Sequence, residues 1–466
     1  MSVVVLTERL IQSIFPSMKI EDVIKQNESK TLEFKQNIDA KARLLATVIA
    51  FSNTAGGKLI IGVDDKTHNI VGIKDPHSIE EKLANLISDS IEPKVVPNIE
   101  IIPWRDTYVI VLEVYPGASR PYYLKNRTID TSTYIRVGST NRLADRSLIN
   151  SIKRSLLIKT FDEEALHEVN YEEIDFRVAS EYFEPFTALK TSDYYSLDLL
   201  VKENASIYPS VGGILLFGKN RLKHFPDSWI QAACFDGRDK SRIVDHQDIK
   251  VNLIDSVDHA INFIRKHLFI GMPISSIRNV ESWSVPKIAI REALINSIVH
   301  ADYSVNGAPI RISIFDDRIE IENPGLLAIG ITIEDIIAGI SKIRNRVITR
   351  VFHKLRLIEH WGSGVQRIIA SCQELGLKTP KFEEIGNRFR VILYKEKVKP
   401  ILLDSVESKI IEAIRTKGAL STKEIAMHVG FTTRNVRNRL IKMIEKKQIV
   451  EIAKNANDPK KKYDIG

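Results

Sequence analysis

Arg291-Glu-Ala-Leu-Ile-Asn-Ser-Ile-Val-His300 is an apolar helical stretch carrying a carboxylate and an amide, Glu292 and Asn296, at i and i+4. That spacing sets both side chains on one helical face. An amide oxygen there can coordinate Mg²⁺, and a carboxylate beside it can polarise a water toward a γ-phosphate. The pair points to a nucleotide site. The same spacing also fits a solvated polar stripe on an amphipathic core helix, so the flanking sequence has to decide.

Downstream come His300-Ala-Asp302-Tyr303, a strand pattern at Ile310–Ile314, and the run Ile319-Glu-Ile-Glu-Asn323-Pro324-Gly325. From Ile261 to Ile392 the chain resembles the C-terminal ATPase-like domain of RecG-type regulators, within the gyrase, Hsp90, histidine-kinase and MutL (GHKL) superfamily. The resemblance implies that Glu292 activates water, that Asn296 holds Mg²⁺ and that ATP is the nucleotide. Trp361-Gly362-Ser363-Gly364-Val365 matches the family's second glycine motif. Gly362, Ser363 and Gly364 would open a helix whose backbone N–H groups approach phosphate. The superfamily's Asp-x-Gly-x-Gly aligns with Asn323-Pro324-Gly325-Leu326-Leu327, which keeps Gly325, loses the second glycine and puts an amide where the base-reading carboxylate stands. Asn323 accepts from an adenine amino group only through its carbonyl oxygen, without a charge to strengthen the bond. Mg²⁺-dependent binding with slow or absent turnover is expected.

With 466 residues the chain exceeds a single core and suggests three or four domains. No apolar run approaches membrane-spanning length, and Val3-Val-Val-Leu6 is too short and lacks the basic lead of a signal peptide. A soluble cytoplasmic protein without a membrane partner is expected. Cys234 and Cys372 stand far apart without metal spacing, which suits a reducing compartment and no zinc site. Net charge is +8, and residues 401–466 carry 14 Lys and Arg against 8 Asp and Glu, so +6 sits in the tail and +2 in the other 400 residues. A localised basic module is a footprint for phosphate backbones, although a charge run also serves as a solvated face.

The pattern divides into residues 1–159, 160–260, 261–396 and 401–466. In the first segment, Thr31–Lys35 reads as a strand, Asp39–Ser52 as a helix, Lys58–Asp64 and Asn69–Ile73 as strands, and Ser78–Ile91 as a helix. Strands near Ile99–Ile102, Tyr108–Tyr115 and Tyr134–Gly138 complete an α+β domain. It resembles the Schlafen AlbA-like fold through Glu28-Ser-Lys-Thr-Leu-Glu33-Phe-Lys35, Phe51-Ser-Asn53-Thr-Ala-Gly56-Gly57, Ile61-Gly-Val-Asp64-Asp65 and Tyr134-Ile-Arg-Val-Gly-Ser139. The resemblance implies nucleic-acid binding, with RNA among the partners. In some Schlafen proteins two Glu and one Asp form a metal-dependent RNA-cleaving site, and the matching positions are Glu28, Glu33 and Asp64. Converging carboxylates would hold Mg²⁺ or Mn²⁺ and activate water at a phosphodiester. The bland alternative is an outward strand residue and an exposed turn, where carboxylates are common. Asn53–Gly57 reads first as a helix-to-strand turn.

The second segment holds a buried strand at Gly212–Phe217, a strand at Trp229–Phe235 and a helix at Ile254–His267. A charged linker at Tyr394–Pro400 leads to the tail. There Val406, Ile410, Ile411 and Ile414 make a helical stripe, Ser421 and Glu424 a capping box, and Gly430 a turn. A third helix from Thr433 to Lys446 buries Val436, Leu440 and Ile444 and turns Arg434, Asn435, Asn438, Arg439 and Lys442 outward. Ile449–Ile452 and Tyr463–Ile465 flank a lysine-rich turn containing Lys460, Lys461 and Lys462. This pattern looks like a winged helix-turn-helix whose Arg and Asn reach base edges of duplex DNA while the lysines hold phosphates. A winged helix used for protein contact has the same pattern.

The sequence thus describes an α+β multidomain protein with a Schlafen AlbA-like domain, a GHKL-like α/β sandwich and a C-terminal winged helix. A nucleotide-sensing transcriptional regulator is expected. The enzymatic alternative is a Mg²⁺- or Mn²⁺-dependent ribonuclease controlled by the other modules. A P-loop helicase is disfavoured, since no Gly-x-x-x-x-Gly-Lys-Ser/Thr run is present. A homo-oligomer follows by fold analogy with dimeric helix-turn-helix proteins.

Overall fold

A computed structural model describes residues 20–157, 159–204, 206–268, 283–358, 363–397, 405–445, 448–453, 458 and 461–465. Gly362, Lys460 and most of the N-terminal leader of residues 1–25 lie outside the described residues. The chain divides into two compact units, one drawing on Met1–Val48, Gly57–Tyr115 and Pro400–Gly466, the other on Ile49–Gly56 and Pro116–Lys399.

The first unit is built on a four-stranded sheet ordered Leu32–Lys35, Gly57–Ile61, Thr107–Val114, Asn98–Trp104. The first pair is parallel and the others antiparallel. Phe34, Ile60, Val109 and Val111 on this sheet pack with Ile20, Val23 and Ile24 of the leader into one buried cluster. The expected strand at Asn69–Ile73 forms only single bridges, Val63 to Ile70 and Ile73 to Tyr108. The turn closed by Asp64 and the positive φ of Gly72 leave no room for a continuous ladder. The tail contributes helices Ser405–Lys417, Thr422–Val429 and Thr433–Glu445, followed by an antiparallel pair, Val450–Ile452 with Lys462–Asp464. Ser421 and Glu424 close the capping box at the start of the second helix, and Gly430 ends it at φ 74°. Ile410, Ile414, Ile425, Val436, Leu440 and Met443 form the tail's own core.

The second unit is dominated by a six-stranded sheet ordered Ile243–Ile249, Ile230–Phe235, Ile310–Ile314, Arg318–Pro324, Arg388–Tyr394, Lys381–Ile385. Its first two strands come from the 160–260 segment, so this sheet runs across residue 261. Period-2 alternation gives it two unlike faces. Ile319, Ile321, Val391 and Leu393 pack toward helices Ser256–Leu268 and Lys287–Val299 in a single large core. On the opposite face Glu320 and Glu322, both buried, meet Arg318, Arg388 and Arg390 in an ion-pair ladder.

The stretch Gly212–Phe217, expected as a strand, is a helix spanning Val211–Phe217. All seven residues are buried, so the apolar run carries no period that separates strand from helix. Ser210 decides it locally, its hydroxyl accepting from the Gly213 N–H at 2.8 Å as an N-cap. Gly212 lets the helix approach Val347, where a Cβ would lie 2.5 Å from the valine side chain.

Candidate functional site

Helix Lys287–Val299 is apolar on nearly every side because it runs through the core, yet Glu292 is buried in it at 7% exposure. Burying a carboxylate is costly without partners, and here they come from helix Gly364–Glu374. Arg367 donates through Nη2 to Glu292 Oε1 at 3.0 Å, and Arg291 Nη1 stands 3.8 Å from the same oxygen. Gly364 opens the second helix with its backbone hard against the pair. A Cβ there would lie 2.8 Å from Glu292 Oε2 and 3.4 Å from Asn296 Nδ2. Among the described residues the Asn296 carboxamide has no hydrogen-bond partner, and it faces a cavity of about 700 Å³.

That cavity brings together Glu292, Asn296, Asn323, Ser363 and Gly364. Lys342, Arg344, Arg346, Arg350, Lys354 and Arg367 line it as well, and among the described lining residues Glu292 is the sole acid. Ile321, Leu326, Leu327, Ile331, Ile336, Ile340, Phe389 and Val391 give it an apolar part. Asn323 shares the cavity-facing side of its strand with Ile321 and ties its Nδ2 to the Pro324 carbonyl at 3.1 Å, which leaves Oδ1 as its acceptor. Gly325, at φ 90°, packs against Asp302, and a Cβ would lie 2.7 Å from that side chain. Burial alone would raise the Asp302 pKa, but Arg344 and Ser304 hold it below the usual range. Arg344 also donates to the Leu326 carbonyl, so one guanidinium ties the turn after Asn323 to Asp302. Burial, with Arg344 adding repulsion, lowers the His300 pKa to about 4.

Arg346, Arg350 and Lys354 follow one another at i+4 along helix Arg346–Lys354 and make a basic wall. Its N-terminus is held from far away in sequence, since Asp162 accepts from the N–H groups of Arg346, Val347 and Ile348 at 3.0, 2.7 and 3.0 Å. Burial raises the Asp162 pKa to about 6 against these bonds. Arg350 pairs with Asp198 and Arg346 with Glu163. Sequence reasoning missed Arg367, Asp162 and this wall. Their spacing within each helix was visible, but no local signal links them to residues 75 or 184 positions away.

Each expected acidic position of the first unit bonds locally. Glu28 accepts from the Phe34 N–H at 2.9 Å, Glu33 pairs with Lys35 at 2.6 Å, and Asp64 closes its own turn on Lys66 and Thr67. Those Thr67 and Lys66 bonds hold the exposed Asp64 carboxyl below its usual pKa. Among the described residues no group of three His, Cys, Asp or Glu is placed to hold a metal ion. Each of the three carboxylates expected as metal ligands, Glu28, Glu33 and Asp64, is engaged by its own local turn or strand bonds. Asn53 is a structural lock in the second unit, with Nδ2 donating to the Tyr122 and Tyr134 carbonyls and Oδ1 accepting from the Tyr122 N–H.

On the third tail helix Arg434, Asn435, Asn438 and Lys442 are exposed, and Arg439 is half-buried with its Nε on Asn435 at 3.1 Å. Arg437, overlooked in the sequence reading, is exposed on the same helix. Lys461 pairs with Glu451 at 3.2 Å, whereas Lys462 is exposed. Among the described residues no helix is long and apolar enough to cross a membrane.

Two segments match protein families. Residues 28–145 match the model described as Schlafen, AlbA_2, and residues 307–393 match that of the putative ATP-dependent DNA helicase recG C-terminal. The chain thus combines a Schlafen AlbA_2 domain with a RecG-type C-terminal ATPase-like domain. Glu292 and Asn296 precede the second matched segment. Among solved structures, the DIP2311 protein from Corynebacterium diphtheriae aligns over 99% of this chain and 100% of that one, at 17% identity and a TM-score of 0.45. The N-terminal domain of a putative ATP-dependent DNA helicase RecG-related protein from Nitrosomonas europaea aligns over 27% of this chain and 94% of that one, at 25% identity and a TM-score of 0.22. No curated protein matches the chain.

Proposed function

We propose that this protein is a nucleotide-sensing, nucleic-acid-binding regulator. The carrying observation is the close approach of Gly364 to Glu292 and Asn296 on the wall of a cavity that also has a basic side and an apolar part. A nucleotide needs this division, with an apolar slot for the base and cations with a helix N-terminus for the phosphates. The residues fit Mg²⁺-ATP. Asn296 would hold the metal, which neutralises phosphate oxygens when bound, and Gly364 leaves the gap that a side chain would fill. Asn323 Oδ1 offers the acceptor that an adenine amino group requires.

The nucleic-acid part rests on the tail, where three helices and a hairpin carry exposed Arg434, Asn435, Arg437, Asn438 and Lys442 on the third helix. Used as a winged helix, this helix reads duplex DNA in the major groove, and transcriptional control is the output. Calorimetry of the intact protein tests the nucleotide site. Mg²⁺-ATP should bind, and Asn296→Ala should weaken binding about tenfold through loss of a metal ligand. Undiminished binding by Asn296→Ala would remove this cavity from the account.

A further inference from the structure

Glu292 lines the cavity, but its Oε1 is already engaged, accepting from Arg367 at 3.0 Å. Arg367 lies one turn after Gly364 on the same helix, on the face that meets Glu292. Long helical side chains lean toward the N-terminus, so the guanidinium lies on the side of Gly364, where phosphate would sit. The Arg367 side chain is 27% exposed and that of Glu292 9%. The cation thus has access to the cavity while its carboxylate partner is nearly enclosed. A terminal phosphate carries more charge than a carboxylate and offers three acceptor oxygens to a guanidinium fork.

We propose that Arg367 is the element that distinguishes a nucleoside triphosphate from a diphosphate: it neutralises Glu292 in the free protein and transfers to the terminal phosphate when a triphosphate binds. A diphosphate leaves the Arg367–Glu292 pair intact. Release of Glu292 then reports the ligand to the core helix Lys287–Val299 that carries it. Arg367 is thus a ligand-contacting residue, and the inference rests on the nucleotide reading of the cavity.

The test is calorimetric titration of the full chain with Mg²⁺-ATP and, separately, Mg²⁺-ADP. Arg367→Gln should lower ATP affinity about tenfold, the size of one charge-assisted bond, and leave ADP affinity unchanged. Arg367→Lys should keep part of the ATP preference. Glu292→Gln, which removes the competing carboxylate charge, should raise ATP affinity and leave ADP unmoved. Equal losses for both nucleotides in Arg367→Gln, or an unaltered ATP-to-ADP ratio, would overturn the inference and leave Arg367 a structural pair. If Arg367→Gln fails to fold, Glu292→Gln decides, and no gain in ATP affinity overturns it. Wild-type protein that binds neither nucleotide overturns the nucleotide reading itself, an outcome distinct from binding without discrimination.

Discussion

His300 ends the Lys287–Val299 helix with its ring on the cavity wall, and burial beside Arg344 lowers its pKa to about 4, against an ordinary 6.5. Between those values the unfolded chain binds more protons than the folded one, so stability rises with pH in that window. The contribution is fully present above 6.5 and is lost as pH falls through 4. Denaturant midpoints at about pH 7.5 and 5.0, on either side of the unfolded value, should show the loss, and His300→Gln should shrink the difference. An equal difference in the variant would remove His300 as its source. At this scale the sequence was legible only where partners share one helix. Glu292 and Asn296 could be paired from an i, i+4 spacing, but Arg367 meets Glu292 through the packing of two helices, and Asp162 reaches its helix from another segment. Asn323 could be read from the sequence as a candidate contact, but that it lines the cavity beside Ile321 shows only in the folded strand.

Among elements, the Arg318–Pro324 strand was readable because Ile319, Glu320, Ile321 and Glu322 alternate between two faces that differ in polarity. Helix Val211–Phe217 was not, because full burial erases the periodicity and leaves composition to suggest a strand. Its register is enforced by Gly213, whose added Cβ would collide with the Leu199 carbonyl oxygen. A backbone atom cannot rotate away, so Gly213→Ala should destabilise the second unit by about 1–3 kcal/mol, as overpacking does. Chemical denaturation measures this, and a stability equal to wild type would show that the helix shifts freely. Strands Ile230–Phe235 and Ile243–Ile249 were missed as parts of the ATPase-like sheet, because strand order is a long-range property with no local signature.

For the molecule as a whole, charge distribution was more informative than net charge, since the basic tail also carries the exposed Arg434, Arg437 and Lys442. Its hairpin is part of the first unit's packing: Ile452 joins the leader's apolar cluster, Lys25 pairs with Asp464, and Arg105 pairs with Asp458 at 3.1 Å. Point substitutions are therefore cleaner than truncation. Arg434→Ala and Arg437→Ala should each weaken duplex binding, and a residue that neutralises one phosphate should reduce the log-affinity against log-salt slope by about 0.9. Unchanged affinity in the double variant would assign the tail to protein contact. A regulator of this kind requires that the cavity's ligand control nucleic-acid binding, and such a coupling has a typical size of about 1–3 kcal/mol. The direct measurement is fluorescence anisotropy of a labelled DNA duplex titrated with the intact protein at fixed salt, with and without saturating Mg²⁺-ATP. ATP should change duplex affinity at least about fivefold, and in Asn296→Ala the change should require about tenfold more ATP; identical binding curves with and without ATP, in a protein shown to bind it, would contradict the coupling.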